Sequence, residues 1–125
     1  MDARAYTADD HQEVERWYLE RGRNPVPIQC LPTHGAIVPG VCAAFLYKTD
    51  SSVAFIDALI SNPYAPAFEV ADGVESAVAM LTDVARSAKY RMLVFTAERP
   101  GVIRFGQRLG FRQVAAYGAL MAKEI

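Results

Sequence analysis

Hydrophobic and polar positions follow short blocks along the chain, and one apolar block near its middle organises the rest. Residues 53–60 are apolar apart from Asp57, and a Ser-Asn-Pro sequence ending at Pro63 follows them. Such a continuous apolar run is typical of an interior β-strand that is covered on both faces. Pro63 has no N–H to donate to a neighbouring strand, so pairing is predicted to fail there. The backbone groups left free need a ligand, a water or another chain, and we therefore expect a functional site at this strand end.

The N-terminal part of the chain shows one strand and one helix. Residues 3–7 alternate like a short strand, and residues 11–21 repeat with the helical period. Gly22 ends this predicted helix, because glycine readily adopts the left-handed conformation that follows many helices. Trp17 and Tyr18 lie on the apolar stripe of the helix, and we assign them to the core. The candidate N-caps are Thr7, Asp9 and Asp10.

A proline-rich segment, residues 23–34, separates this helix from the next strands. Its three prolines within eight residues exclude a regular helix and predict a long ordered loop. Such a loop either shapes a substrate cleft or packs as coil over the edge of a sheet, and the sequence leaves both open. Strands at 35–38 and 41–47, joined by the turn Pro39-Gly40, are predicted to form an antiparallel meander with the central strand.

The C-terminal half alternates helices with strands. Residues 64–71 are predicted to be irregular, and Asp72 with Glu75 forms a capping-box pattern that predicts the start of a helix ending near residue 89. Residues 91–96 form a second apolar strand, which the strand, helix, strand order places parallel to the central strand. The remaining predicted elements are a helix from Pro100 to Leu109, a left-handed C-cap at Gly110 and a last strand over 114–122.

Composition restricts the class of protein. With 125 residues and 52% hydrophobic content, the chain can bury a core as one domain, which we assign to residues 1–125. Its net charge of −1 argues against nucleic acid and against an anionic membrane surface as partners. The sequence shows no signal peptide and no apolar run that could span a membrane, and Cys30 and Cys42 lack metal-ligand spacing. We therefore expect a cytoplasmic protein with reduced thiols and no metal.

Three segments of the chain carry a family resemblance. Residues 104–111 read Arg-Phe-Gly-Gln-Arg-Leu-Gly-Phe, residues 60–64 read Ile-Ser-Asn-Pro-Tyr, and residues 35–47 form the predicted hairpin before them. These segments resemble three features of the GCN5-related N-acetyltransferase (GNAT) family. Residues 104–111 resemble its C-terminal helix ending, residues 60–64 the end of its fourth strand, and residues 35–47 the hairpin that precedes that strand. The resemblance implies an α/β fold with a mixed sheet in the order β-α-β-β-β-α-β-α-β. The pattern also resembles short acetyltransferase-like proteins that bacteriophages encode.

The resemblance implies an acyl-CoA site at the end of the central strand. In the family, acetyl-CoA is the acyl donor and binds where the fourth and fifth strands splay apart, and the acceptor is an amine of a small molecule or a protein. The pantetheine arm bonds to the backbone of the fourth strand, here Leu59, Ile60 and Ser61. The pyrophosphate lies on the N-terminus of the next helix, which the predicted boundary places near Gly73.

The chain departs from the family in the loop that binds phosphate. The family pattern is Gln or Arg, two residues, Gly, one residue, and then Gly or Ala. Residues 64–73 instead contain one glycine, no basic residue and two acids, Glu69 and Asp72. A carboxylate near a helix N-terminus repels a pyrophosphate by about 1 kcal/mol at surface dielectric. We therefore expect CoA binding to depend on Arg99, Arg104 or another cation.

A second departure concerns the groups that would move protons. Gly106 stands where the family commonly has a tyrosine that protonates the leaving thiolate, which leaves Tyr117 on the last strand or Tyr64 in the loop as the acid. The candidate bases are Asp57 and Glu69, since partial burial lifts the pKa of a carboxyl group toward neutrality. The structural alternatives are an Asp57 bonded across the sheet, a Glu69 that belongs to a helix entry, and tyrosines that only pack.

Two functions of different class follow from these features. The first is an enzyme that joins an acetyl group to an amine by direct attack. The second is a protein that keeps the fold without the chemistry and binds a host protein or another copy of itself, with a sensor of bound CoA as an intermediate case. Gly106 and the altered phosphate loop favour the second function. The C-terminal helix ending favours the first, although it also serves folding.

Overall fold

A computed structural model of the protein describes residues 2–97, 99–114 and 119–125, without the side chains of residues 119 and 120. The described strands are β1 (Arg4–Ala5), β2 (His34–Val38), β3 (Cys42–Tyr47), β4 (Val53–Ser61), β5 (Met92–Ala97), β6 (Arg112–Gln113) and β7 (Ala119–Glu124). The described helices are α1 (His11–Glu20), α2 (Ala67–Ser87) and α3 (Pro100–Arg108). This is a mixed α/β protein, and β4 begins and ends where the central apolar block predicted it.

The described strands form one sheet in the order β1-β2-β3-β4-β5-β7-β6. Strands β1 to β4 are antiparallel neighbours, which confirms the predicted meander. Strand β5 pairs with β4 in parallel, which confirms the arrangement predicted from the strand, helix, strand order. Of the predicted last strand over 114–122, residues 115–118 lie outside the described residues, and β7 follows them over Ala119–Glu124. A short strand that was not predicted, β6, precedes it, and β7 lies between β5 and β6, antiparallel to both.

Glycines end two of the helices, as predicted. Gly22 follows α1 with φ +68°, and the N–H of Arg23 donates to the carbonyl of Tyr18 at 2.9 Å. Gly110 follows α3 with φ +95°, and the N–H of Phe111 donates to the carbonyl of Gly106 at 3.0 Å. Both are left-handed caps that satisfy carbonyls in the last turn of a helix. The proline-rich segment between α1 and β2 is irregular apart from a 3₁₀ turn at Ile28–Cys30.

The sheet separates two apolar layers. On one face, α2 packs on a cluster that includes Leu46, Ile56, Leu81, Leu93 and Met121, all buried. On the other face, α1 packs on a second cluster. Its buried members are Val14, Trp17, Tyr18, Ile37, Ala43, Phe45 and Ile60. Trp17 and Tyr18 are therefore core residues, as predicted.

The predicted start of the second helix is wrong. Helix α2 begins at Ala67, after an extended Pro66, so Asp72 and Glu75 lie inside it and form no cap. The apolar stripe explains the error, because Val70 continues the spacing of the buried helix residues back toward the N-terminus. Gly73 is likewise inside the helix and buried, and a Cβ there would lie 2.9 Å from Cγ1 of Val41. The structure thus places Gly73 at a tight helix–sheet contact and not in a phosphate-binding loop.

A β-bulge interrupts β4. Ala43 pairs with Ile60 and Phe45 with Asp57, so β4 has one residue more than β3 over the same stretch. Ala58 lies in the bulge with φ +55°, a left-handed conformation that costs a residue with a Cβ about 1–2 kcal/mol. Because side chains alternate along a strand, the extra residue shifts the pattern, and Ile60 packs on the α1 side whereas Ile56 packs on the α2 side.

Candidate functional site

Strands β4 and β5 diverge into a wedge. Their parallel pairing covers Val53 to Phe55 of β4 and ends at the pair Phe55 and Val94. Strand β4 continues to Ser61, where it still pairs with Cys42 of β3 on its other side. Among the described residues, none pairs as a strand with the β5-facing edge of β4 from Ile56 onward. The two parallel strands thus separate after Phe55, before the bulge, whereas the sequence predicted the loss of pairing at Pro63.

A cavity of about 100 Å³ lies in this wedge. Its walls are mostly apolar and come from β4, β5, α2 and α3. The lining residues are Ala44, Ile56, Asp57, Leu59, Val74, Val78, Phe95, Thr96, Val102, Phe105, Gly106, Leu109 and Phe111. Ligand pockets usually enclose about 300–1,000 Å³, so this cavity has room for the end of a ligand and not for a whole cofactor-sized molecule. The wedge therefore accepts a small group, with the rest of a ligand outside it.

The ring of Phe95 fills the space beside Gly106. A Cβ at position 106 would lie 2.6 Å from Cζ of Phe95, far inside van der Waals contact. Phe95 is itself held by Phe111, with ring centroids 4.8 Å apart in an edge-to-face arrangement. The glycine that replaces the tyrosine of the family pattern is thus matched by an aromatic residue on the facing strand. No side chain from position 106 can reach the cavity while Phe95 keeps this position.

Asp57 stabilises the bulge and lies at the cavity. Its Oδ1 accepts a hydrogen bond from the N–H of Ala58 at 2.7 Å, which favours the left-handed conformation there. The Tyr18 hydroxyl lies 3.5 Å from the Ala58 carbonyl, at the long limit of a hydrogen bond. Burial raises the pKa of Tyr18 and of Tyr47, and the nearby Asp57 carboxylate raises the pKa of both further. An exposed carboxylate and two tyrosine rings therefore share the α1 side of the wedge.

The three predicted backbone positions of β4 differ in their surroundings. Leu59 lines the cavity with 42% of its surface exposed, whereas Ile60 is buried on the α1 side. Ser61 is bound by Arg21, whose Nε donates to the Ser61 carbonyl at 3.1 Å and whose Nη2 donates to the Ser61 hydroxyl at 2.8 Å. Asn62 then closes the strand end, since its N–H donates to the carbonyl of Val41. No local pattern points to Arg21, because 40 residues separate it from Ser61.

The N-terminus of α2 follows directly after β4. Glu69 lies in its first turn, and residues 62–72 contain no basic side chain. Two large apolar side chains, Tyr64 and Phe68, are 80% and 74% exposed at this corner. Backbone N–H groups in a first turn attract anions, but Glu69 opposes that attraction here. This helix end is thus a poorer phosphate site than the family pattern provides.

The predicted cations lie on the next helix. Arg99 is the N-cap residue of α3, and Arg104 reaches back so that its Nη2 would lie 3.9 Å from a Cβ at Gly101. Both side chains are exposed, at the N-terminal half of a helix whose Val102 and Phe105 line the cavity. Tyr117, the candidate acid on the last strand, lies outside the described residues.

Two other kinds of feature are absent from the described part of the chain. Residues 2–97, 99–114 and 119–125 contain no cluster of three His, Cys, Asp or Glu side chains placed to hold a metal ion. In the same part of the chain, no helix combines the length and the apolar character needed to cross a membrane.

Solved structures share this fold over nearly the whole chain. A Mycobacterium tuberculosis protein in complex with CoA superposes with a TM-score of 0.80 and 12% identity, over 100% of this chain and 99% of that one. A GCN5-related N-acetyltransferase from Kribbella flavida gives a TM-score of 0.72 and 14% identity, over 99% and 97% of the two chains.

N-acetylglutamate synthase from Neisseria gonorrhoeae, in complex with CoA and N-acetyl-glutamate, gives a TM-score of 0.70 and 16% identity. The match covers 98% of this chain and 34% of the synthase, so the chain spans about a third of that protein's length. No protein-family model matches the sequence, and comparison with curated proteins gives no match either. The structural likenesses show that the chain has the GNAT acyl-CoA N-acyltransferase fold, as the sequence resemblance implied.

Proposed function

We propose that this chain, whose fold is that of GNAT acyltransferases, transfers an acetyl group from acetyl-CoA to an amine. The observation that carries the proposal is the wedge: in the described part of the chain nothing pairs with the β5-facing edge of β4 from Ile56 to Ser61, and a small apolar cavity lies beside it. An extended polar chain can bond to such a free strand edge as an additional strand would. Structural neighbours solved with CoA support acyl-CoA as the ligand class.

The donor fits the wedge by size and by charge. A cavity of about 100 Å³ accommodates an acetyl group and its thioester, and the amide groups of the pantetheine arm find partners on Leu59 to Ser61. The phosphates extend toward the first turns of α2 and α3. Because Glu69 disfavours them at α2, we assign their charge compensation to Arg99 and Arg104. Binding of acetyl-CoA is therefore expected to weaken strongly as salt increases.

The acceptor amine approaches from the α1 side of β4, to which the Asp57 side chain points, and Asp57 also lines the cavity. Asp57 accepts the proton of the ammonium group, directly or through a water, and leaves a neutral amine as nucleophile. The nitrogen bonds to the thioester carbon, the carbon–sulfur bond breaks, and its electron pair remains on sulfur. The second proton of the nitrogen passes to solvent or to the thiolate. Backbone N–H groups of β4 near Leu59 polarise the carbonyl, and Glu69 takes no part in this scheme.

Acetyl-CoA titration tests the donor site. A ligand that binds only the folded state at a hundred times its Kd adds about 2.7 kcal/mol of stability, so millimolar acetyl-CoA raises the Tm. Leu59→Trp places a large ring at the exposed edge of the cavity and is expected to abolish this shift. Leu19→Trp is the matched control, because Leu19 is exposed on α1 and does not line the cavity. A Tm that acetyl-CoA does not change in the unsubstituted protein contradicts the proposal.

A second candidate function is a binding protein that retains the fold without turnover. Two observations favour it, the ring of Phe95 in place of an acid at position 106 and the acidic first turn of α2. Its partner would be a host protein or a second copy of the chain, and a bound CoA without turnover would make it a sensor. Release of free CoA thiol in an amine screen separates the cases, since only the enzyme produces it. The likeness to bacteriophage proteins stays a prediction.

A further inference from the structure

The α1 side of the wedge carries charges of both signs around one aromatic ring. The guanidinium carbon of Arg23 lies 5.3 Å from the centroid of the Tyr18 ring. At the other end of the ring, the Tyr18 hydroxyl is 3.5 Å from the carbonyl of Ala58, whose N–H bonds to the Asp57 carboxylate. Tyr18 thus lies between a cation and an anion that form no ion pair with each other.

Strand register places the same groups on one open surface. Asp57 is opposite Phe45, and Phe55 is opposite Tyr47, in the antiparallel pair of β3 and β4. Cross-strand partners share a face, so Tyr47, Phe55 and Asp57 point to the α1 side together with Phe45. Phe55 is 39% exposed, and Asp57 is exposed as well. This side of the sheet therefore offers one carboxylate between aromatic groups, and the Arg23 guanidinium over the Tyr18 ring lies on the same side.

The backbone of Arg23 is fixed by a hydrogen bond, and its side chain is exposed to solvent. Its N–H closes the left-handed cap of α1 by donating to the Tyr18 carbonyl at 2.9 Å, which fixes where the side chain starts. Its guanidinium contacts the Tyr18 ring, and the side chain is exposed. A guanidinium over a ring face still has N–H groups free to bond elsewhere, and a carboxylate can accept two of them.

We propose that the acceptor is an amine that also carries a carboxylate, with its ammonium group at Asp57 and its carboxylate at Arg23. The inference rests on the proposed acyl transfer and names the chemistry of its acceptor. Asp57 alone would accept any ammonium group, so selectivity for an acceptor with a carboxylate comes from Arg23. A simple alkyl or aryl amine would leave the guanidinium without an anionic partner. Arg23 is thus a specificity residue that binds the substrate away from the reacting nitrogen.

Binding of amino acids and of the amines that lack only their carboxylate tests the inference without turnover. Calorimetric or NMR titration compares each pair, such as lysine with cadaverine and tyrosine with tyramine, on the protein without acetyl-CoA. At least one carboxylated member is expected to bind more tightly than its partner, on the order of 10- to 100-fold, the range for a hydrogen-bonded charge. Arg23→Gln removes that preference, whereas Arg16→Gln, at an exposed arginine within α1, leaves it unchanged.

The outcomes separate this inference from the proposed function. If carboxylated and simple amines bind equally, or if Arg23→Gln changes both alike, the acceptor assignment is wrong even where acetyl transfer occurs. If a carboxylated amine binds through Arg23 but no CoA thiol is released with acetyl-CoA present, the acceptor assignment holds and the enzyme proposal fails. Asp57→Asn is expected to weaken both members of a pair equally, because it acts on the ammonium group that they share.

Discussion

The Phe95 ring and Gly106 occupy complementary positions, so that a Cβ at position 106 would come within 2.6 Å of Cζ of Phe95. Gly106→Ala is therefore expected to destabilise the protein by about 1–3 kcal/mol, although alanine is the better helix former, because the overlap with a ring that Phe111 holds in place outweighs propensity. Urea unfolding measures the change. Gly101→Ala in the same helix is the control, since its nearest neighbour would be 3.9 Å away, and it should not destabilise. Equal effects at both positions would contradict the packing argument.

Ala58 keeps a left-handed conformation that suits glycine better. Ala58→Gly is expected to stabilise the protein by about 0.5–1 kcal/mol, because the bulge then forms without the Cβ penalty at φ +55°. Ala54→Gly, at a buried position earlier in β4 with an ordinary extended pairing, should instead destabilise it. Thermal unfolding of the two variants gives the sign of each change in stability. A loss of stability in both would show that burial of the Ala58 methyl outweighs its backbone strain.

Arg21 holds the end of β4 through two acceptors on Ser61. Arg21→Ala removes both hydrogen bonds, whereas Ser61→Ala removes only the one to the hydroxyl. If the strand end binds the pantetheine arm, we expect acetyl-CoA affinity to fall more for Arg21→Ala than for Ser61→Ala. The fall should be up to about tenfold, the equivalent of one to two exposed hydrogen bonds. Titration of acetyl-CoA onto both variants measures the two affinities. Equal affinities would show that Arg21 does not contribute to the binding site.

Asp10 joins the first strand to α1. Its carboxylate is buried and accepts from Arg4 at 2.7 and 2.9 Å and from the N–H of Thr7 at 2.8 Å. The hydrogen bond from Arg4 is the main cause that lowers the pKa of Asp10 below its usual value. A lowered folded-state pKa gives stability that is present above the unfolded-state pKa, near 4, and is lost as the pH falls through the folded-state value.

Asp10→Asn is thus expected to cost about 1–3 kcal/mol at pH 7 and progressively less below pH 4. Chemical unfolding at several pH values gives the difference between variant and unsubstituted protein. If the difference in the free energy of unfolding stays constant from pH 7 to pH 2, the lost stability comes from altered packing and not from the charge of the carboxylate. Asp9→Asn, at the exposed neighbouring position, serves as the control and should change little.

The two cysteines should differ in reactivity. Burial raises the pKa of the Cys42 thiol to about 11, whereas Cys30 is exposed. A thiol reagent at pH 8 is therefore expected to modify one cysteine rapidly in the folded protein and both after unfolding, because the thiolate is the reactive species. Cys30→Ser should remove the rapid phase, and Cys42→Ser should leave it intact. Rapid modification of Cys42 in the folded Cys30→Ser variant would contradict the burial argument.

The fold was predictable where local patterns are strong. The apolar run over β4, its proline stop, the meander and the parallel β5 all follow from periodicity and breakers, and the glycines after α1 and α3 end those helices as predicted. The start of α2 was not predictable in this way. Asp72 and Glu75 have the right spacing for a cap, but packing of the apolar stripe on the sheet extends the helix back to Ala67.

The candidate site was predicted in its place and only partly in its residues. Asp57 and Leu59 line the cavity, as the end of the central strand suggested, whereas Gly73 lies buried in α2. Sequence reasoning missed the bulge at Ala58, because an alanine carries no local signal for a left-handed conformation. It also missed Arg21, whose partner Ser61 is reached only after the chain has returned by way of β4, and Arg23, which contacts the Tyr18 ring on the preceding helix.

The sequence by itself determined the order of helices and strands as far as α3, the strand at which the candidate site lies and the glycine at position 106, since these depend on residue types and on spacings within one segment. Only the tertiary structure decided where β4 and β5 separate, that Phe95 occupies the space beside Gly106, and that Asp57, Tyr18 and Arg23 share one surface. Such relationships join residues far apart in the chain. Strand register and packing of the whole molecule fix them, and no local pattern records either.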